Sequence, residues 1–235
     1  AIPQEWPENL QLRWRVPVGS GHASPVVVGD RVYIHARSGE DEIALCLSLA
    51  HGDTLWHSTY PAPYVMNNNA TNHGPGPKST PVVHGEYLYT LGISGILSAF
   101  DRESGQLVWQ RIFADEFKPS APLFGTATSP MVVDSLLVAY VGGHDRGALR
   151  AFDLASGKTR WSVEGDGPGY TSPIVAEIAG TRQLVTQSQG FNLALDPATG
   201  EVLWREPYAT IHYQNAPTPV RYGDVLIFSG IDEGI

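Results

Sequence analysis

Hydrophobic residues along this chain fall in short runs separated by tight polar breaks. The stretch Pro81-Val82-Val83-His84-Gly85-Glu86-Tyr87-Leu88-Tyr89 is representative. A β-branched run, a His-Gly-Glu turn and a second apolar run predict two short strands joined as a hairpin. The stretch Pro219-Val220-Arg221-Tyr222-Gly223-Asp224-Val225-Leu226-Ile227 repeats the pattern. The prolines that open such runs recur behind a hydroxyl residue, as Ser24-Pro25, Thr80-Pro81, Ser129-Pro130, Ser172-Pro173 and Thr218-Pro219.

A longer motif follows each opening pair. Ala99-Phe100-Asp101-Arg102-Glu103-Ser104-Gly105-Gln106-Leu107-Val108-Trp109 recurs as Ala151-Phe152-Asp153-Leu154-Ala155-Ser156-Gly157-Lys158-Thr159-Arg160-Trp161. It recurs again as Ala194-Leu195-Asp196-Pro197-Ala198-Thr199-Gly200-Glu201-Val202-Leu203-Trp204. A degenerate copy runs from Cys46 to Trp56 with Gly52 four residues before the tryptophan, and Trp14 stands where an earlier copy would end. In each copy the apolar run before the aspartate reads as a strand. Asp-x-x-Ser/Thr-Gly reads as a tight turn, because the aspartate can accept from backbone amides ahead of it and glycine tolerates a left-handed backbone. The residues ending in tryptophan open the next strand, and a large aromatic at a fixed place suits packing against the neighbouring repeat.

The steps from opening proline to motif tryptophan are 31, 28, 31 and 31 residues, whereas those from tryptophan to the next proline are 11, 25, 21, 12 and 15. A unit of nearly constant length thus alternates with a connector of variable length. Four short strands per repeat of roughly 40–50 residues predict an all-β fold, a β-propeller of four-stranded blades. About four complete blades plus partial blades are expected, in a single propeller domain over residues 1–235. The next motif tryptophan is due beyond Ile235, so the sequence reads as a fragment of a larger ring. A β-sandwich also uses many short strands but does not require a repeat this regular.

Composition narrows the function more than the fold. Gly 25 and Pro 18 leave little room for long helices, and a charged fraction of 17% argues against disorder or a coiled coil. Lys and Arg total 15 against 24 Asp and Glu, a net charge of −9, which argues against nucleic acid as a partner. No apolar run is long enough for a transmembrane segment. The single cysteine, Cys46, excludes an internal disulfide and a multi-cysteine metal site. The eight histidines show no metal-ligand spacing, and there is no Gly-x-Ser-x-Gly elbow. Gly74 to Thr80 superficially suggests a phosphate loop, but Pro77 stands where glycine is required. No catalytic or metal-ligating residue is therefore assigned.

The Ala-x-Asp-x-x-Ser/Thr-Gly-x-x-x-Trp motif resembles the quinoprotein-type propeller repeat, named after pyrroloquinoline quinone. The resemblance extends from Trp14 to the C-terminus. Gly74-Pro75-Gly76-Pro77-Lys78-Ser79-Thr80-Pro81 and Val141-Gly142-Gly143-His144-Asp145 are similar to segments of bacterial quinone-binding-like repeat proteins. The resemblance implies a ring of seven or eight blades. One branch of these proteins comprises quinone-dependent dehydrogenases, which carry an adjacent cysteine pair, a catalytic aspartate and a calcium site. The other comprises non-enzymatic propellers, such as the lipoprotein of the outer-membrane β-barrel assembly machinery. Here Cys46 stands alone in the alanine place of the degenerate motif. That departure favours the non-enzymatic branch and disfavours pyrroloquinoline quinone as a cofactor. A periplasmic or cell-surface location follows from the resemblance.

Variable connectors in a repeat fold map to one face, where binding residues gather. All five connectors here enter an inner strand, so they are expected to ring one mouth of the central channel. The longest carries Tyr64, Asn67, Asn68, His73 and Lys78; carboxamides and an aromatic on one loop suit a peptide or sugar. The connector before Ser129 carries Phe124, and the short one before Ser172 carries Tyr170. The connector before Thr218 carries His212, Tyr213, Gln214 and Asn215. The reading is a non-enzymatic propeller that binds a protein or glycan partner through this face. A quinone-dependent oxidoreductase with an atypical site, and a structural module of a surface assembly, are the alternatives.

Overall fold

The computed structural model describes residues 8–231, except for the side chain of His212. The first sheet joins β1 (Val26–Val28), β2 (Arg31–Ser38), β3 (Asp41–Ser48) and β4 (Thr54–Pro61). The second joins β5 (Val82–His84), β6 (Tyr87–Leu91), β7 (Ile96–Asp101) and β8 (Leu107–Ile112). The third contains β9 (Met131–Val133), β10 (Leu136–Gly143), β11 (Arg146–Asp153) and β12 (Thr159–Glu164). The fourth contains β13 (Ile174–Ile178), β14 (Thr181–Gln187), β15 (Phe191–Leu195) and β16 (Val202–Pro207). A fifth pairs β17 (Val220–Tyr222) with β18 (Val225–Ile227). Every sheet is an antiparallel meander in chain order. The fold is thus a β-propeller with four complete blades and the inner strands of a fifth.

Strand periodicity stacks the blades. Successive side chains of a strand point to opposite faces, and here both faces of the middle strands are apolar. In β6, Leu88 packs towards the first blade with Tyr33, Cys46, Trp56 and Phe100, whereas Tyr89 and Leu91 pack towards the third with Leu137, Ala139 and Phe152. In β10, Val138 and Tyr140 in turn meet Leu184 and Leu193 of the fourth blade. The core is therefore a series of inter-blade layers. A sandwich would give each sheet one wet face, and these central strands have none.

The long motif is an inter-blade clasp. Asp101 Oδ1 accepts from the amides of Glu103 (3.1 Å) and Ser104 (2.7 Å) and from the Ser104 hydroxyl (2.7 Å). Asp153 and Asp196 hold their turns in the same way. The closing glycines adopt positive φ, +75° at Gly105, +65° at Gly157 and +76° at Gly200. A second constraint acts on them, because the tryptophan of the preceding blade lies on each. A Cβ at Gly157 would stand 2.7 Å from the Trp109 ring, and one at Gly105 would stand 2.5 Å from Trp56. The indole Nε1–H then donates to the carbonyl just after the motif aspartate: Trp56 to Arg102, Trp109 to Leu154 (both 2.9 Å) and Trp161 to Pro197 (3.1 Å). Trp14 does the same to Leu49 (2.9 Å) while resting on Gly52.

The alanine of the motif has its own cause. Ala99, Ala151 and Ala194 pair across the ladder with Trp109, Trp161 and Trp204, immediately before a β-bulge. Cys46 takes this place opposite Trp56 and is fully buried, with Arg31 Nη1 3.8 Å from its sulfur. Burial pushes the Cys46 thiol pKa up. It is a small packed side chain, as its motif position predicts.

Candidate functional site at the channel mouth

Strands that run alternately up and down bring two sets of loops to one end of the blades. The connectors between blades lie there, and so do the β2–β3, β6–β7, β10–β11 and β14–β15 turns. The Ser/Thr-Pro pairs lock this end. The Ser24 amide donates to Thr80 Oγ1 (3.3 Å), the Thr80 amide to Ser129 Oγ (3.0 Å) and the Ser129 amide to Ser172 Oγ (2.9 Å). Each hydroxyl thus ties its blade to the preceding one where the inner strand begins.

Just ahead of this hydroxyl ladder the connectors converge. His22, His73, Lys78, Phe124, Tyr170, Gln214 and Ala216 line a pocket of about 310 Å³. His22, Lys78, Tyr170 and Ala216 each stand three residues before the proline of their own repeat, so the fold places them as equivalents around the mouth. Lys78 is half-buried, and its ammonium donates to the Phe124 carbonyl. Burial pushes its pKa below the usual lysine value. The Phe124 amide donates to Tyr170 Oη (3.2 Å), which also lies 3.2 Å from His144 Nε2. Burial raises the Tyr170 phenol to about 12 and lowers the His144 imidazole pKa, which favours the neutral forms of both. His22 Nε2 donates to the His73 carbonyl at 2.7 Å, which fixes the first connector to the second.

A larger cavity of about 680 Å³ adjoins this pocket. Its walls include Pro63, Tyr64, Asn67, Pro119, Pro122, Leu123 and His144. The His144–Tyr170 contact, an edge-on pair with centroids 5.8 Å apart, forms the ridge between the two.

The predicted residues divide accordingly. His73, Lys78, Phe124, Tyr170 and Gln214 share the mouth pocket, while Tyr64 and Asn67 belong to the neighbouring cavity. Asn67 also caps a short 3-10 turn by accepting from the Asn69 amide (2.9 Å). Asn68 is exposed and lines neither cavity. Tyr213 packs against His144 as a tilted ring pair, centroids 4.9 Å apart. The side chain of His212 lies outside the described residues. Asn215 differs from its expected role. It is fully buried; its Oδ1 accepts from Thr210 Oγ1 (2.9 Å) and its Nδ2 donates to Ser188 O (2.8 Å). It braces the last connector from beneath. His144 was absent from the candidates drawn from sequence.

Beneath the same end, between the first two blades, lies a buried polar cluster. Tyr60 Oη donates to Glu42 Oε2 (2.8 Å), His35 Nε2 is 3.5 Å from that oxygen, and the Ile93 amide donates to Glu42 Oε1 (2.8 Å). Burial by itself would raise the Glu42 pKa. The His35 hydrogen bond and charge, with the Ile93 amide and Tyr60 hydroxyl, bring it below the usual glutamate value.

Repeat, clasp and channel mouth define a propeller built of quinoprotein-type repeats. The family model for outer membrane protein assembly factor BamB matches residues 40–234. The chain therefore belongs to the BamB family. Over 220 residues it is 27% identical to the outer membrane protein assembly factor BamB of Yersinia pestis, covering 92% of this chain and 51% of that protein. Over 181 residues it is 27% identical to methanol dehydrogenase (cytochrome c) subunit 1 of Paracoccus denitrificans, covering 71% and 27%. The crystal structure of BamB from Moraxella catarrhalis superposes with a TM-score of 0.66 at 18% identity, over 92% of this chain and 58% of that one. This likeness shows the fold. The chain spans about half, or less, of the length of these curated relatives.

The dehydrogenase relatives raise the question of a quinone with its calcium ion. Among the described residues no group of three His, Cys, Asp or Glu side chains could hold a metal. The mouth pocket has no carboxylate in its lining, and Cys46 sits in the layer between the first two blades. No helix among the described residues is long and apolar enough to cross a membrane.

Proposed function

We propose that this chain is the docking part of a periplasmic, non-enzymatic propeller that serves outer-membrane protein assembly by binding a protein partner through the connector face. One observation carries the reading: five connectors from successive blades meet in a single pocket at the end that the hydroxyl ladder locks. A rigid scaffold with variable loops gathered on one side is the arrangement that recognition uses. Exposed apolar side chains on the same loops, Val65, Ile211 and Tyr213, supply contact area. Family membership supports the assembly role.

The test is site-specific photo-crosslinking with the full-length protein in its host. Crosslinkers at Val65 and Tyr213 are expected to capture an outer-membrane assembly component. A crosslinker at Lys158, in the clasp turn at the opposite end, is expected not to. Capture from Lys158 alone, or from none of the three, would overturn the proposal.

A further inference from the structure

We infer that the mouth pocket receives an acidic side chain, the carboxylate of a Glu or Asp on an extended segment of the protein partner, with Lys78 as its counter-ion. This rests on the connector face being the docking face.

The charge distribution points that way. The chain carries −9 overall, yet the lining of this pocket holds one lysine, two histidines and no carboxylate. Lys78 makes a single hydrogen bond, to an uncharged carbonyl, and no described carboxylate pairs with it. An ammonium has three donors and is poorly satisfied by one neutral acceptor when half-buried. Its lowered pKa reflects that loss of hydration. An incoming carboxylate would restore a partner to a charge already desolvated, which is where interfacial charge pairs contribute most.

Size and surroundings define the rest of the ligand. A volume of about 310 Å³ admits a side chain with a few flanking atoms. Phe124 and Tyr170 flank the lysine, and Gln214 adds a carboxamide able to donate to the second carboxylate oxygen. Across the His144–Tyr170 ridge, the proline-walled cavity of about 680 Å³ suits an apolar residue of the same segment. The one carboxylate in that second cavity, Asp145, is held by Gln189. The ligand is thus an extended peptide with an acidic and an apolar residue two positions apart, so that both side chains leave the same face.

The experiment measures binding of fluorescein-labelled twelve-residue peptides to the full-length protein by anisotropy. One peptide repeats Glu-Ser-Leu-Ser, which puts Glu and Leu on one face when extended, a second replaces Glu by Gln, and a third replaces it by Lys. The Glu peptide is expected to bind about tenfold more tightly than the Gln peptide, and more weakly as salt is raised. Lys78→Gln is expected to abolish the difference, and Lys78→Arg to keep most of it. Equal binding of the Glu and Gln peptides, preference for the Lys peptide, or no binding of any overturns the assignment. Should Lys78→Gln fail to fold, the peptide comparison and salt dependence of the unaltered protein still decide. If these fail while crosslinking from Val65 and Tyr213 persists, the docking face stands and the carboxylate ligand falls.

Discussion

Gly157→Ala tests the clasp most directly. The residue is held at φ +65°, and a Cβ there would stand 2.7 Å from Trp109 Cδ2 and Cε3. Two costs follow. Left-handed backbone costs a non-glycine residue roughly 1–2 kcal/mol. Forcing a methyl into a packed ring costs about 1–3 kcal/mol, and moving the indole weakens its 2.9 Å bond to Leu154 O, about 1 kcal/mol. Gly180→Ala separates the two, because Gly180 has φ +76° with no atom within 4 Å of a built Cβ. It carries the backbone cost alone.

The difference between the two variants is therefore the clasp itself, about 2–4 kcal/mol. For a chain of this size that lowers the melting temperature of Gly157→Ala about 4–16 °C further than Gly180→Ala. Thermal unfolding followed by circular dichroism reads it. A double-mutant cycle with Trp109→Leu adds a specific check: the excess cost of Gly157→Ala should shrink once the indole is gone. Equal melting of the two glycine variants, or an excess cost unchanged in the Trp109→Leu background, would refute the claim that motif glycine and preceding tryptophan form one contact.

Ser129→Ala removes the acceptor of the Thr80 amide and should cost about 0.5–1.5 kcal/mol in urea unfolding, whereas Ser129→Thr should be near neutral because it keeps the hydroxyl. Asp101 and Asp153, held by Ser104 and Ser156, and Asp196, held by the Thr199 amide, titrate below the usual carboxylate range when folded. Their contribution is thus present above the unfolded value of about 3.9 and lost as pH falls below it. Asp153→Asn should flatten the dependence of stability on pH below about 4 relative to the unaltered protein, as chemical denaturation at stepped pH would show. Glu42→Gln turns the oxygen facing the Tyr60 hydroxyl into an NH2 donor and removes the charge that accepts both the Tyr60 and the Ile93 bonds; a loss of about 2 kcal/mol in urea unfolding is expected.

How much of this was legible depended on how far apart the interacting residues lie in sequence. Strands, turns and blade number were readable because each blade is a local meander with its own motif, and three copies align without gaps. The role of the motif tryptophan was half readable: packing on a neighbouring repeat follows from its size and spacing, but not its seat on that repeat's glycine. The opening serines and threonines were visible as markers and opaque as chemistry, since each bond joins residues 43 to 56 positions apart. Convergence of the connectors followed from topology. The choice of residues within them did not, because polarity cannot separate a pocket-lining Gln214 from a bracing Asn215 next to it. His144 escaped for another reason. It sits on a turn inside a blade, and only the up-and-down course of the strands brings that turn to the mouth.

The two ends of the blades answer to opposed constraints. At the clasp end, aspartate, hydroxyl, glycine and tryptophan fix one another, so the span from opening proline to tryptophan varies by only three residues. At the mouth end the hydroxyl ladder needs just one side chain per blade, which frees the connectors to range from 11 to 25 residues between tryptophan and proline. A substitution at the clasp therefore acts first on blade stacking, while one at Lys78 or Gln214 changes the mouth pocket and leaves the inter-blade layers intact. That separation lets a ring of near-identical blades present a mouth in which no two connectors are alike.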